Sequence, residues 1–196
     1  MPALSCIELT NAEQDLAINL VRQVLTQAVK ENCYIKPLAP NSKALLTPCA
    51  CFVTLYVQGE LRGCIGTMQS ERPLWENICK YSYSSAFEDY RFEHLTADEL
   101  ENLSFQISIL STLEPMENKG EAHLLAELKP NVDGLVLEYN QHNALFLPSV
   151  WESLPKPYDF VGKLKLKAGL AEDYWHEDIK LQRFQSFKIE SEKATN

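Results

Sequence analysis

The sequence is short of positive charge. Its 196 residues carry 18 Lys and Arg against 27 Asp and Glu, a formal net charge of -9. No block of five or more like charges occurs. Binding a phosphate backbone takes Lys and Arg gathered on one face, so nucleic acid is not an expected partner. The nearest approach to a basic cluster, "KLKLK" at 163–167, alternates with Leu and reads as the solvated face of a helix. Long apolar runs are also missing. Nothing approaches the roughly 20 residues that span a bilayer, and the opening "MPALSCIELT" has neither the basic nor the apolar region of a secretory signal. These absences predict a cytoplasmic protein with no membrane partner. In that reducing setting the six cysteines, Cys6, Cys33, Cys49, Cys51, Cys64 and Cys79, are expected as free thiols.

Glycine is scarce, and its spacing excludes the common phosphate loops. Gly59, Gly63 and Gly66 do not match G-x-G-x-x-G at a strand-to-helix turn, and no Gly-Lys-Ser or Gly-Lys-Thr is present. Histidine is scarcer still: His94, His123, His142 and His176 stand singly. Even with "CAC" at 49–51, no two ligand pairs have the spacing of a structural zinc site. No metal is expected, and no cofactor is indicated. There is no internal repeat, low-complexity tract or linker.

The remaining composition is ordinary for a globular chain, with 45% apolar and 23% charged residues. It predicts a single domain over 1–196 with an ordered core at about 10–188. Thr10 and Glu13 form a capping box, and Leu16, Ala17, Leu20, Val21, Val24, Leu25 and Ala28 recur at helical spacing, predicting a helix over 11–31. The proline-bearing "KPLAPNSKALLTPCA" is expected as an extended loop. "CFVTLYV", then "QGE" and "LRGCIG", reads as a β-hairpin. Phe52, Thr54 and Tyr56 share one face of its first strand, with Cys51, Val53, Leu55 and Val57 on the other. Arg62, Cys64 and Gly66 share a face of the second strand, and which faces are buried stays open.

An amphipathic helix is predicted from Pro73 to about Asp89, a short capped helix from Thr96, and a half-exposed strand over "LSFQISIL". A short helix near "EAHLLAEL" follows. "GLVLEYN" and "ALFLPSV" around "QHN" predict a second hairpin, and "YDFVGKLKLKAG" a helix closed by Gly169. "IKLQRFQSFKI" reads as one final strand. The class is α+β, with a mixed or largely antiparallel sheet and flanking helices.

The sharpest chemical candidate is Cys64. A thiol becomes nucleophilic when a nearby cation or backbone donors favour the thiolate, and Arg62 stands two residues away. Flanking glycines admit a substrate, or another backbone, at close range. The opposing reading is a packed thiol beside tightly packed glycines, since cysteine is among the most buried residue types. "EDYRFEHLT" at 88–96 displays Glu88, Asp89, Arg91 and His94 in an irregular segment. There an Asp/Arg pair either orients an anionic ligand or staples the loop. Lys167, Tyr139 and His142 are weaker candidates.

Six blocks, "FVTLYVQGELRGCIGT", "EDYRF", "LSFQISILSTLEP", "DGLVLEY", "LFLPSVWESLP" and "LKLKAGL", occur in the order that resembles the AMMECR domain family, whose prokaryotic members are also called AmmeMemoRadiSam system protein A. The resemblance covers about residues 10 to 188. It implies an α+β protein of two unequal lobes around a cleft near the LRGCIGT segment. It also implies genomic company with a Memo-like protein and a radical SAM protein as possible partners in a modification system. Asp89, Arg91 and Phe92 match the family's positions. With the reading of the residues, Cys64 and Arg62 are the catalytic candidates and Gly63, Gly66, Thr67, Asp89, Arg91 and Phe92 the binding candidates. Two departures stand out. "DYRFEHL" replaces the common "DPRF" and its proline-rich turn, and "CAC" replaces small residues before Phe52.

Two functional readings follow. In the first, Cys64 is a nucleophile or covalent carrier, with Arg62 assisting and backbone amides near Gly63 and Gly66 supporting an oxyanion, although no histidine base is assignable. In the second, the chain is a non-catalytic binding or adaptor module in which Trp75, Tyr90, Phe92 and Trp151 supply contacts.

Overall fold

The Thr10 hydroxyl accepts from the Glu13 amide at 3.4 Å, and the Glu13 carboxylate accepts from the Thr10 amide at 3.0 Å. This box starts helix α1 (Asn11–Glu31), which stops where Asn32 turns left-handed at φ 52°. Glu13 also accepts from Ser42 at 2.8 Å. Ser42 in turn caps a one-turn helix, α2 (Lys43–Leu46), inside the stretch expected as an extended loop. The computed structural model describes residues 9–68 and 71–191; Cys6 lies outside them.

The chain forms two compact units. One takes the described residues through Leu110 and returns at Phe187; the other spans Ser111–Ser186. The first unit holds strands β1 (Cys51–Val57), β2 (Glu60–Gly66), β3 (Leu103–Leu110) and β8 (Ser186–Glu190) in the order β2-β1-β3-β8. β1 pairs antiparallel with both β2 and β3. Helices α3 (Leu74–Phe87) and α4 (Ala97–Leu100) complete this unit. Its core sits on one sheet face, where Cys51, Val53, Leu55, Phe105, Ile107 and Ile109 meet Val21, Val24 and Leu25 of α1 and Leu74, Ile78 and Cys79 of α3. The period-two pattern therefore resolves with the Cys51 set inward. β3 is less exposed than its alternation predicts, because Ser108 on the polar side is 1% exposed.

The second unit has strands β4 (Glu114–Met116), β5 (Gly134–Tyr139), β6 (His142–Phe146) and β7 (Lys180–Phe184) in the order β4-β7-β5-β6, with α5 (Glu121–Glu127) and α6 (Pro157–Lys167). Trp151 stacks on Phe160 with centroids 3.8 Å apart and donates its indole N–H to the Asp133 carbonyl at 2.7 Å. The α+β class and antiparallel pairing match the sequence reading.

The second hairpin forms, β5 pairing antiparallel with β6, and three local expectations need correction in detail, each for a physical reason. The final strand is two strands in different sheets. Ser111 and Gln185 exchange hydrogen bonds of 2.8 and 2.9 Å, which end β7 before β8 begins. The second hairpin turns at Asn140, whose φ of 55° suits asparagine, so His142 is already in β6; Pro148 then opens a 3-10 turn, Pro148–Glu152, in place of more strand. "KLKLK" is a solvated face only in part: Lys163 and Lys167 are exposed, and Lys165 is not. Val161, Leu164, Lys165 and Ala168 recur at i, i+3, i+4 and i+7, and all four are buried. The Lys165 ammonium lies 2.7 Å from the Glu121 carboxylate and 5.9 Å from the Trp175 ring centroid. Among the described residues, no helix is long and apolar enough to cross a membrane, and no cluster of three or more His, Cys, Asp or Glu is placed to hold a metal ion.

Candidate functional site

The hairpin that carries Cys64 turns through Gln58 and Gly59 at φ 53° and 85°. Two successive positive φ values give the turn whose twist matches paired strands. The register then slips: Leu55 faces Gly63 but Tyr56 faces Leu61, so Arg62 is the extra residue of a bulge. The bulge changes what Arg62 does. Its guanidinium lies across the Glu99 carboxylate in two bonds, Nε at 2.6 Å and a terminal nitrogen at 3.2 Å. Glu99 also accepts from the Thr96 amide at 2.9 Å and the Thr96 hydroxyl at 3.1 Å, capping α4. These contacts, the guanidinium first and the Thr96 donors after it, hold the Glu99 carboxyl below its usual pKa.

β2 is an edge strand, and its outward polar groups at Cys64 are covered by the loop after α3. The Cys64 amide donates to the Asp89 carboxylate at 2.9 Å, and the Arg91 guanidinium donates to the Cys64 carbonyl at 3.4 Å. Asp89 and Arg91 are joined by bonds of 2.6 and 2.8 Å. One ion pair thus blocks the edge at one residue, by the same logic that proteins use elsewhere to prevent stray strand pairing. The guanidinium of Arg91 is the main reason that the Asp89 pKa falls to about 2; the Cys64 amide adds to it. Phe92 closes the turn by donating its amide to the Asp89 carbonyl at 3.0 Å, and its ring centroid lies 5.4 Å from the Arg91 guanidinium and 6.0 Å from that of Arg62. Between the two locked residues, Tyr90 is 96% exposed.

The glycines are packing residues. A Cβ on Gly63 would run into the backbone carbonyl of Ser85 on α3, and one on Gly66 into Cys51 and Phe52, its cross-strand partner. The Ser85 hydroxyl lies across the hairpin, accepting from the Ile65 amide at 2.9 Å and donating to the Val53 carbonyl at 2.8 Å. The Thr67 amide donates to the Cys51 carbonyl at 2.9 Å. The amides of Cys64, Ile65 and Thr67 are therefore all committed, which removes them from an oxyanion site around the glycines. Cys64 itself is half-buried opposite Thr54, with Sγ and the Thr54 hydroxyl 3.2 Å apart. The Arg91 guanidinium interacts electrostatically with Cys64. Among the described residues, no histidine is a hydrogen-bond partner of Cys64. His94 packs edge-on against Phe87.

The other thiols differ. Burial pushes Cys79 up to about 12 and Cys51 higher still. The five described cysteines are unbridged, and among them only Cys33 is exposed.

A family model described as AMMECR1 matches residues 18–189. The chain belongs to the AMMECR1 family. It is 31% identical over 194 residues to a protein of Thermofilum pendens, covering 91% of this chain and 89% of that one. It is 30% identical over 184 residues to a protein of Methanocaldococcus jannaschii, covering 91% and 90%. The crystal structure of an uncharacterized protein from Pyrococcus horikoshii superposes with a TM-score of 0.88 at 28% identity over 95% of each chain. In this AMMECR1-family chain the candidates Arg62, Gly63, Cys64, Gly66, Asp89, Arg91 and Phe92 fall together, with Thr67 just beyond the strand end. The sequence reading missed Thr54, Ser85 and the pairing of Glu99 with Arg62. Ser85 had a signal: Ser84, Ser85 and Ala86 are a run of small residues on the helix that meets a glycine-bearing strand.

Proposed function

We propose that this chain is a non-catalytic binding subunit and that the 88–92 loop is its contact point, with Tyr90 as anchor. One observation carries the proposal: Tyr90 is 96% exposed while Asp89 beside it is 5% exposed and tied to Arg91 and Cys64. A large aromatic presented on a loop that is already ordered loses little entropy when it docks, and tyrosine is enriched among residues that dominate interfaces. The groups that a Cys64 reaction needs support the same reading. Arg62 is held by Glu99 through two of its nitrogens, the third being buried without a partner, and the amides beside the thiol are committed to Asp89 and Ser85. The partners proposed are a Memo-like protein and a radical SAM protein, in a cytoplasmic modification system.

The second reading, a cysteine-dependent enzyme or enzyme subunit, is favoured by one feature. Cys64 is half-buried and touches a hydroxyl, whereas Cys51 and Cys79 are sealed in the core. Calorimetric titration of this chain with each purified partner separates the two. A Tyr90→Ala substitution is expected to weaken binding at least tenfold, and Cys64→Ala to leave it within about twofold, on the scale of about 1.4 kcal/mol per decade. Loss of system activity in Cys64→Ala with partner binding intact favours the enzyme. Absence of binding to either protein overturns the subunit reading.

A further inference from the structure

We propose a second site: a pocket for a phosphate group, formed by Arg72 and Lys80 beside the end of β2. A cavity of about 110 Å³ is lined by Thr67, Glu71, Arg72, Asn77, Lys80 and Tyr81, all of them polar. Three of the six, Asn77, Lys80 and Tyr81, stand at i, i+3 and i+4 and so share one face of α3. Such a volume holds several waters, or one tetrahedral oxyanion with part of the group that bears it.

Its charge is unusual for this molecule. In a chain of net charge -9, the wall brings two cations and one carboxylate together. Among the described residues, Arg72 and Lys80 make no ion pair with Glu71 or any other carboxylate, whereas the nearby Glu76 is taken by Lys36 at 3.0 Å. The Lys80 ammonium lies instead 5.3 Å from the centroid of the Tyr81 ring, a contact that holds it without neutralising it.

The base of Arg72 is built, while its guanidinium has no hydrogen-bond or ion-pair partner among the described residues. Its carbonyl accepts from the Cys49 amide at 3.2 Å and the Asn77 side-chain amide at 3.5 Å. The adjoining Pro73 bridges to Pro48, and the Leu74 amide donates to Thr47 at 2.9 Å. Asn77, 2% exposed, also donates to the Cys49 carbonyl at 2.9 Å and so ties the floor of the pocket to the strand entry. A guanidinium on an anchored backbone and an ammonium lining the same cavity suit a phosphate dianion: a guanidinium can supply two parallel donors and a lysine a neutralising charge. Of the LRGCIGT candidates only Thr67 lines the pocket, and its wall includes neither Cys64 nor the Asp89–Arg91 pair.

The ligand class is a small phosphate-bearing molecule, and inorganic phosphate is the probe. The thermal midpoint of the full chain is to be followed against phosphate, and against acetate, at matched ionic strength. A saturable rise with phosphate that acetate does not reproduce is expected. Arg72→Ala and Lys80→Ala should each raise the apparent Kd at least tenfold. Both side chains are exposed, so the midpoint without phosphate should not move. Glu71→Gln removes the opposing carboxylate and should tighten binding. An equal response to acetate, the absence of a saturable response, an unchanged response in the Arg72→Ala/Lys80→Ala double variant, or no tightening in Glu71→Gln would each overturn the site.

Discussion

The amide of Cys64 donates to the Asp89 carboxylate at 2.9 Å, and the arginine that grips the same carboxylate reaches the Cys64 carbonyl. Two motifs far apart in sequence, the LRGCIGT strand and the "EDYRF" loop, are one structural device. The loop clamps the edge of the strand, and Tyr90 projects from the clamp.

The clamp makes stability depend on acid pH. Asp89 is held at about 2 against an ordinary value of 3.8. The unfolded chain therefore takes up this proton first. The stabilisation is fully present above about pH 4 and is lost as pH falls through about 2. A shift of this size corresponds to about 2 kcal/mol. Urea unfolding of wild type and Asp89→Asn should differ by about that amount at pH 7 and converge near pH 2. A constant difference across that range would detach the effect from this carboxylate.

Gly63 and Gly59 should respond to alanine for different reasons. A Cβ at Gly63 meets the Ser85 backbone, which cannot swing aside, whereas Gly59 has open space but a φ of 85°. Gly63→Ala is expected to cost about 3 kcal/mol or more, and Gly59→Ala about 1 kcal/mol. Equilibrium denaturation measures both, and a Gly63→Ala protein as stable as Gly59→Ala would mean that α3 does not pack this closely on β2.

Thiol alkylation of the native protein should proceed in a set order. Cys33 is exposed and should react first, Cys64 more slowly, and Cys51 and Cys79 only on unfolding, since burial both shields them and raises their pKa values. Peptide mass spectrometry over a time course at pH 8 reads the order directly. Modification of Cys51 or Cys79 before Cys64 would contradict the burial described for them.

The Lys165–Glu121 pair is asymmetric. The lysine side chain is 1% exposed and its partner 25%. Removing the carboxylate strands a charge in the core, whereas removing the ammonium leaves Glu121 within reach of water. Glu121→Ala should cost about 3 kcal/mol and Lys165→Met clearly less, as read from urea midpoints. The reverse order would show that the pair is not buried from the lysine side.

Local signals carried much of the fold. The α1 boundaries follow from a capping box and a clean helical repeat, and the first hairpin from a β-branched run, Gln58–Gly59 and a second short run. These depend on neighbours within a few residues, which a sequence displays in order. Lys165 and the break at Gln185 were not legible. Whether a lysine at a buried helical position finds a carboxylate, and whether a strand is stopped by a serine 74 residues away, depend on groups that only folding brings together.

The candidate site divides along the same line. The sequence by itself placed Arg62, Cys64 and three glycines on a hairpin, put Asp89, Arg91 and Phe92 in one loop, and identified the family. Tertiary structure decided what each of them does. The bulge sends Arg62 to Glu99, α3 presses Ser85 against Gly63, and the loop folds back so that Asp89 and Arg91 cover the Cys64 edge. The reason is physical: a polar group's role is set by the partner that satisfies it, and buried or edge donors and acceptors take whichever partner the packing of distant segments supplies.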